Sequence, residues 1–192
     1  KNLYQTIKQF RGSDLASMYL QKFDLHVKGE NLPEQKIEIV TLPKNFLLIA
    51  ANMKCKDPDF RACLSYLRSR GITETQLWRH KIGTCISGGY WNRRVIFPSF
   101  DSDLKLNYYV SRTIDEASGF KYVNAKADKK KIIFDEMRIN WQKELTIVEG
   151  VFDLMKCNEN ATCLLGSHMS ESHEIFKKIV KNKTDVLLAL DF

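Results

Sequence analysis

Three short apolar runs near the end of the chain constrain its fold more than any other feature. They are Leu145-Thr146-Ile147-Val148, Ala161-Thr162-Cys163-Leu164-Leu165 and Asp185-Val186-Leu187-Leu188-Ala189-Leu190. Runs this short and this continuously apolar read as strands buried on both faces. The intervening spans read as helices, one opened by Gly150 and running to about Cys157, the other from about Ser170 to Lys181. Gly166 closes the second strand. The order strand, helix, strand, helix, strand predicts a parallel, doubly wound α/β sheet over residues 144–192.

Open α/β sheets place their sites at the carboxyl ends of the strands. Glu149 directly follows the first strand, and Asp191 closes the third. Asp153 lies one helical turn past Glu149, so both can face one crevice. Three carboxylates converging there would repel one another unless a cation sat between them. Mg²⁺ takes oxygen ligands and prefers one or two carboxylates together with substrate phosphates. Glu149, Asp153 and Asp191 are therefore candidate metal ligands, with Glu149 the candidate catalytic group.

The upstream part mixes both element types. Leu15, Met18, Tyr19 and Phe23 make a helical stripe, read as core-facing. Leu32-Pro33 and Leu42-Pro43 punctuate an extended stretch at 37–40, a strand or an ordered linker. From Asp59 a helix buries Phe60, Cys63, Leu64 and Leu67, and Gly71 is placed to cap it. A second short helix is expected from Thr73, with Leu77 and Trp78 buried. Gly83 and Gly88-Gly89 read as turns. Strands are expected at 94–98, 105–111 and 132–134, with Asp101-Ser102-Asp103 turning between the first two. Residues 117–131 read as a loop ending in lysines.

Charge separates the two parts. Residues 1–143 hold 25 Lys/Arg against 15 Asp/Glu, and residues 144–192 hold 5 against 8, within a net charge of +7. A basic body with an acidic end suits a chain that holds a polyanion on one part and metal ions on the other. At 44% hydrophobic and 28% charged the chain reads as soluble and globular. No apolar run reaches the ~18 residues of a membrane span, and no signal peptide opens the chain. Without an initiator Met, it reads as a fragment or a domain. Cys55, Cys63, Cys85, Cys157 and Cys163 form no Cys-x-x-Cys pair, so no zinc site is expected, and reduced thiols in the cytoplasm are. His26, His80, His168 and His173 show no metal-binding spacing.

Taken together, strand-Glu149-Gly150-x-x-Asp153, strand-Leu165-Gly166-Ser167 and strand-Leu190-Asp191 resemble the Toprim signature. That domain is shared by bacterial-type primases, topoisomerases of types IA and II, and some nucleases. Its second motif is Asp-x-Asp, of which this sequence contains the first Asp. Upstream residues resemble primase cores in particular. Tyr66-Leu67-Arg68-Ser69-Arg70-Gly71-Ile72 is similar to their Tyr-Leu-x-x-Arg-Gly-Ile run, and Arg94-Val95-Ile96-Phe97-Pro98 to their Arg-Val/Ile-x-Phe-Pro strand. Ser111-Arg112 and Lys121-Tyr122-Val123-Asn124 match the next strand and the Lys-Tyr-x-Asn loop. The motifs run in the family's order over roughly 60–192. The stretch from Leu42-Pro43 to Leu48 is similar to segments that precede phage primase cores.

The resemblance implies a DnaG-like primase core of phage type, making short RNA primers on single-stranded DNA by metal-dependent nucleotidyl transfer. It implies Mg²⁺ or Mn²⁺ as cofactor, and ribonucleoside triphosphates, a single-stranded template and a replicative helicase as partners. Arg94, Arg112, Lys121 and Asn124 would hold template or triphosphate, with one of Lys129, Lys130 and Lys131 contacting nucleotide. Tyr90, Trp91, Tyr108, Tyr109 and Tyr122 are candidate stacking residues, although strand aromatics are more often core. The expected layout is a lead-in over 1–58, a basic α/β subdomain over 59–143 and a Toprim domain over 144–192. Two other readings stay open: a non-catalytic single-stranded-DNA-binding module of a primase-helicase, and a Toprim nuclease.

Overall fold

Asp57 starts the first α-helix that the structure, a computed structural model, describes. The described residues are 39–86, 89–116, 119–166 and 169–190. The stripe of Leu15, Met18, Tyr19 and Phe23, and also Ile37, Gly88, Ser167 and Asp191, lie outside them. The Asp57 carboxylate accepts the Phe60 N–H at 2.9 Å, and Pro58 takes the first helical position of α1 (Pro58–Ser69), where no N–H is needed. Phe60, Cys63, Leu64 and Leu67 form its buried face, as their spacing predicts. The helix ends in a Schellman cap: Gly71 adopts φ +78°, Ile72 N–H donates to the Leu67 carbonyl and Gly71 N–H to that of Arg68. Thr73 then opens α2 (Glu74–Arg79) through a reciprocal capping box with Gln76.

Leu77 is buried, but Trp78 is 50% exposed, against expectation. A helix of six residues has one face to bury, and Trp78 lies about 100° round from Leu77.

An antiparallel sheet packs against these helices. It runs in chain order through β1 (Phe46–Leu48), β2 (Gly83–Cys85), β3 (Arg94–Phe100) and β4 (Leu106–Thr113). The strands expected at 94–98 and 105–111 are thus present and slightly longer. Asp101 makes the turn between them, its Oδ1 accepting the N–H groups of Asp103 and Lys105, each at 2.9 Å. Ile39 and Val40 belong to no strand. Gly83 is not a turn either. It is a buried strand residue, and a Cβ there would collide with the Phe46 ring and the Leu47 carbonyl.

The run 132–134 forms no strand. Ile133 and Phe134 point into different apolar clusters. Their carbonyls accept from Asn107 Nδ2 and Thr162 Oγ1, so side chains replace the ladder a strand would need.

The last third forms the expected parallel sheet: β5 (Leu145–Val148), β6 (Ala161–Cys163) and β7 (Val186–Ala189), in the order β6-β5-β7. The helix after Gly150 is a single turn, α3 (Val151–Leu154), and the next is α4 (Glu174–Asn182). Side chains of β5 alternate. Leu145 and Ile147 cluster with Ile133 and with Ile175 of α4, whereas Val148 joins the cluster holding α3. The two helices therefore cover opposite faces, as a doubly wound sheet requires. Strand β7 departs from expectation, with Leu187 and Leu188 more than half solvent-exposed or close to it. It pairs with β5 on one flank only, at the edge of the described sheet. The larger cluster joins residues of all four antiparallel strands to α1, α2, α3 and β6, so one core underlies both sheets.

Because strand backbones flank Gly83, Gly83→Ala should destabilise the protein by about 1–3 kcal/mol, read as a lower urea midpoint at unchanged slope. A wild-type midpoint would show that β1 is free to move off β2.

Candidate functional site

Glu149 is exposed at the carboxyl end of β5, the central strand of the parallel sheet. Gly150 stays extended (φ −129°, ψ 167°) and opens α3. The chain there is open except toward Asp153, whose Oδ2 would sit 3.2 Å from a Cβ on Gly150. The Asp153 carboxylate thus folds back over the start of its own helix, toward the Glu149 end of the turn, where negative charge is favoured. Asp191 lies outside the described residues, and among those residues no three His, Cys, Asp or Glu side chains gather into a metal-binding group. Glu149 and Asp153 are the carboxylates that the described turn offers.

Glu149 and Gly150 line a cleft of about 250 Å³ together with Tyr122 and Asn124, from the long connection after β4. Cys163, the last residue of β6, and Leu164, Leu165 and Gly166 after it line it as well, with Val110 and Val151. Residues 163–166 also form a wall of a second cleft, of about 390 Å³, which Lys129 and Lys130 line. The Lys-Tyr-x-Asn loop thus shares a cleft with Glu149, and the lysine run lines a neighbouring cleft joined to it by the wall 163–166. Asp128 caps the lysine turn (Lys129–Lys131) by accepting the Lys130 N–H. Lys131 is exposed and walls neither cleft.

The remaining basic candidates have different surroundings. Arg94 is buried at the start of β3, where its Nη2 donates to the Phe120 carbonyl at 2.8 Å and Nη1 to that of Lys121 at 3.5 Å. Burial pulls its pKa down from the usual guanidinium value. Arg112, in β4, donates Nε–H to the Tyr66 hydroxyl at 3.2 Å and lies 4.9 Å from the Tyr122 ring centroid. It thereby braces a wall of the Glu149 cleft. Lys121 is exposed, and its carbonyl accepts the Thr113 N–H. Asn124 Oδ1 accepts the Ser111 N–H at 3.4 Å, which fixes the loop against β4.

No sequence motif marked Arg93 or Phe152. Arg93 adopts φ +53° and donates to both Asp59 and Asp115, tying α1 to the end of the β3–β4 hairpin. Both carboxyls are held below the usual range, Asp59 by Asn92 and Arg93 and Asp115 by Arg93. Phe152 packs edge-on against Tyr66 (centroids 6.1 Å) and Phe97 (5.1 Å), with the Arg70 guanidinium 4.7 Å from its ring centroid. Gln76 Nε2 also donates to the Met155 carbonyl, and Arg79 pairs with Glu159 at 2.8 Å. These contacts hold the turn that carries Glu149. Their only advance signal was an apolar residue in a short amphipathic turn. All five cysteines are free. Burial pushes the Cys63 and Cys85 thiols up to about 11, and that of Cys163 up as well, which disfavours the reactive thiolate.

No protein-family model and no curated protein matches the chain. Solved structures do. The Escherichia coli primase catalytic core superposes with a TM-score of 0.56 at 16% identity, covering 72% of this chain and 57% of that one. A DnaG primase catalytic domain bound to single-stranded DNA gives 0.56 at 17%, covering 69% and 56%. The RNA polymerase domain of Mycobacterium tuberculosis DnaG, in complex with a double-stranded DNA oligomer with an overhang, gives 0.55 at 16%, covering 74% and 61%. The chain has the fold of the DnaG primase catalytic core. It spans a little over half the length of these solved chains. In this primase-like fold the antiparallel sheet carries Arg94 and Arg112, and the parallel sheet carries Glu149. No described helix is long and apolar enough to cross a membrane.

Arg94→Ala removes the donors that hold the carbonyls of Phe120 and Lys121. The expected result is a loss of about 1–3 kcal/mol and faster amide hydrogen exchange at 119–124 than in the wild type. Unchanged exchange there would show that Arg94 does not anchor the loop.

Proposed function

We propose that this chain is the RNA-polymerising core of a DNA primase, with residues 144–192 as its Toprim domain, 59–143 as its basic subdomain and 1–58 as the lead-in. The observation that carries the reading is the cleft that Glu149, at a strand's carboxyl end, lines together with Tyr122 and Asn124 of the Lys-Tyr-x-Asn loop. The DnaG-like fold supports it, as does the bound DNA in two of the solved primases.

Primer synthesis joins nucleoside triphosphates: a 3′-hydroxyl attacks an α-phosphate and pyrophosphate leaves. Such transfer is governed by positioning and charge neutralisation. Glu149 and Asp153 are hard oxygen donors, exposed and within one helical turn, and they fit Mg²⁺ or Mn²⁺. Asp191 is proposed to join them. A bound ion would supply positive charge to the phosphate oxygens. Lys129 and Lys130, which line the cleft sharing the wall 163–166, would hold the triphosphate. Arg112 and Tyr122 would keep the cleft wall in place, and Asn124 would offer its side-chain amide to a nucleotide in it. Lys121 and the basic body supply phosphate contacts to the template strand. A replicative helicase partner, a phage origin and a cytoplasmic location belong to the same reading.

Glu149→Gln, made in the intact protein, should lower dinucleotide synthesis on oligonucleotide templates by at least about 100-fold, with an unchanged circular dichroism spectrum. Full synthesis by the variant would overturn the role of Glu149. A wild type that binds single-stranded DNA but makes no primer with Mg²⁺ or Mn²⁺ would instead identify a binding module, and cleavage of DNA a nuclease.

A further inference from the structure

Asn124 also lines a third groove, of about 490 Å³. Tyr90, Trp91 and Tyr109 form its aromatic side, and Lys126 and residues 39–41 complete it. The rings stand edge to face in sequence. Tyr90 and Trp91 have centroids 5.1 Å apart at 84°, and Trp91 and Tyr109 5.7 Å apart at 76°. Tyr109 is buried in β4 and anchors the row, whereas Tyr90 is 65% exposed at its open end. Packing accounts for Tyr109 but leaves Tyr90 unexplained, since an aromatic kept for the core is covered. In an edge-to-face pair the faces are not stacked ring on ring, so a ring exposed at the end of the row keeps a face open to a flat partner. The Arg94 guanidinium lies 5.9 Å from the Tyr90 centroid and supports that ring from within the fold.

The groove's size falls in the range of ligand pockets, roughly 300–1,000 Å³. Its chemistry asks for a flat, π-rich group bearing negative charge. The rings offer stacking, Asn124 an amide and Lys126 a cation, on the part of the chain with excess basic residues. Asn124 is common to this groove and to the Glu149 cleft, so a single strand lying past it reaches both.

We propose that the Tyr90–Trp91 groove is a base-stacking subsite for unpaired nucleotides of the strand that enters the Glu149 cleft, with Lys126 on its phosphate. The proposal rests on the primase reading and adds where the strand is gripped before it meets the carboxylates. Stacking on aromatics tolerates any base, because every base has a π-face. The groove therefore contributes affinity rather than sequence choice.

The test is a fluorescence-anisotropy titration of the intact protein with labelled oligo(dT), and with the same oligonucleotide made abasic along its length. Wild type should bind the abasic strand roughly 5- to 150-fold more weakly, the span of one stacked base. Tyr90→Ala should lose a similar factor on oligo(dT) and discriminate less against the abasic strand. Tyr90→Phe, which keeps the ring, should titrate as wild type. Lys126→Ala should lower the slope of log affinity against log salt by about 1. Tyr90→Ala binding both strands as wild type does would overturn the subsite and leave the primase reading standing. A wild type with no affinity for single-stranded DNA would overturn both. If Tyr90→Ala alters the oligomeric state while leaving the titrations unchanged, the groove seats protein instead, and the proposal fails.

Discussion

Phe152 is where the two sheets of this protein are locked together. It belongs to the one-turn helix that follows Glu149, yet it packs against Phe97 of the antiparallel sheet and Tyr66 of α1. Burying a phenylalanine contributes roughly 1.5–3 kcal/mol, and each edge-to-face partner adds about 0.5–1.5 kcal/mol. A four-residue helix has almost no stability of its own. The direction in which Glu149 leaves β5 is thus set by a ring three residues later, clamped by side chains from far upstream. Gln76 on the Met155 carbonyl and Arg79 on Glu159 hold the far end of the same turn.

Around that lock, arginines serve as struts. Arg93 and Arg94 are neighbours in sequence with opposite fates. Positive φ at Arg93 sends its side chain out to Asp59 and Asp115, while Arg94 turns inward and holds the carbonyls before the Tyr122 loop. Arg112 closes the circuit by donating to Tyr66 and stacking on Tyr122. Through Tyr66, the same phenol-bearing side chain touches both Arg112 and Phe152. The cleft wall and the Glu149 turn are therefore braced against a common residue. Exposed cations left for a polyanion include Arg61 and Arg68 of α1 and the lysines Lys121, Lys126 and Lys131.

Much was legible in the residues themselves, wherever a local rule had no competitor. Asp57-Pro58 and Gly71 bounded α1, because caps and positive φ are properties of a few consecutive residues. The strands of the last third followed from continuous apolar runs, and the turn at Asp101 from its carboxylate's reach to nearby N–H groups. Failures came where tertiary packing outweighed local preference. Gly83 reads as a turn but is a strand residue kept small by the Phe46 ring. Ile132-Ile133-Phe134 has strand composition, but two cores claim alternate side chains and donors from Asn107 and Thr162 take its carbonyls. Trp78 has the right spacing for burial on a helix too short to bury two faces.

By itself the sequence determined the parallel sheet, the carboxylates Glu149 and Asp153 at a strand's end, and the order of the basic motifs before them. Those are periodicities and spacings, which are carried along the chain. Only the tertiary structure decided that Asn124 and Glu149 line one cleft, that Lys129 and Lys130 line a second sharing its wall 163–166, and that Arg94 is a buried strut. These depend on which strands pair and on which side chain fills the gap between two sheets. Contacts between residues tens of positions apart have no local signature, because the free energy that selects them comes from a core that exists only once both sheets are in place.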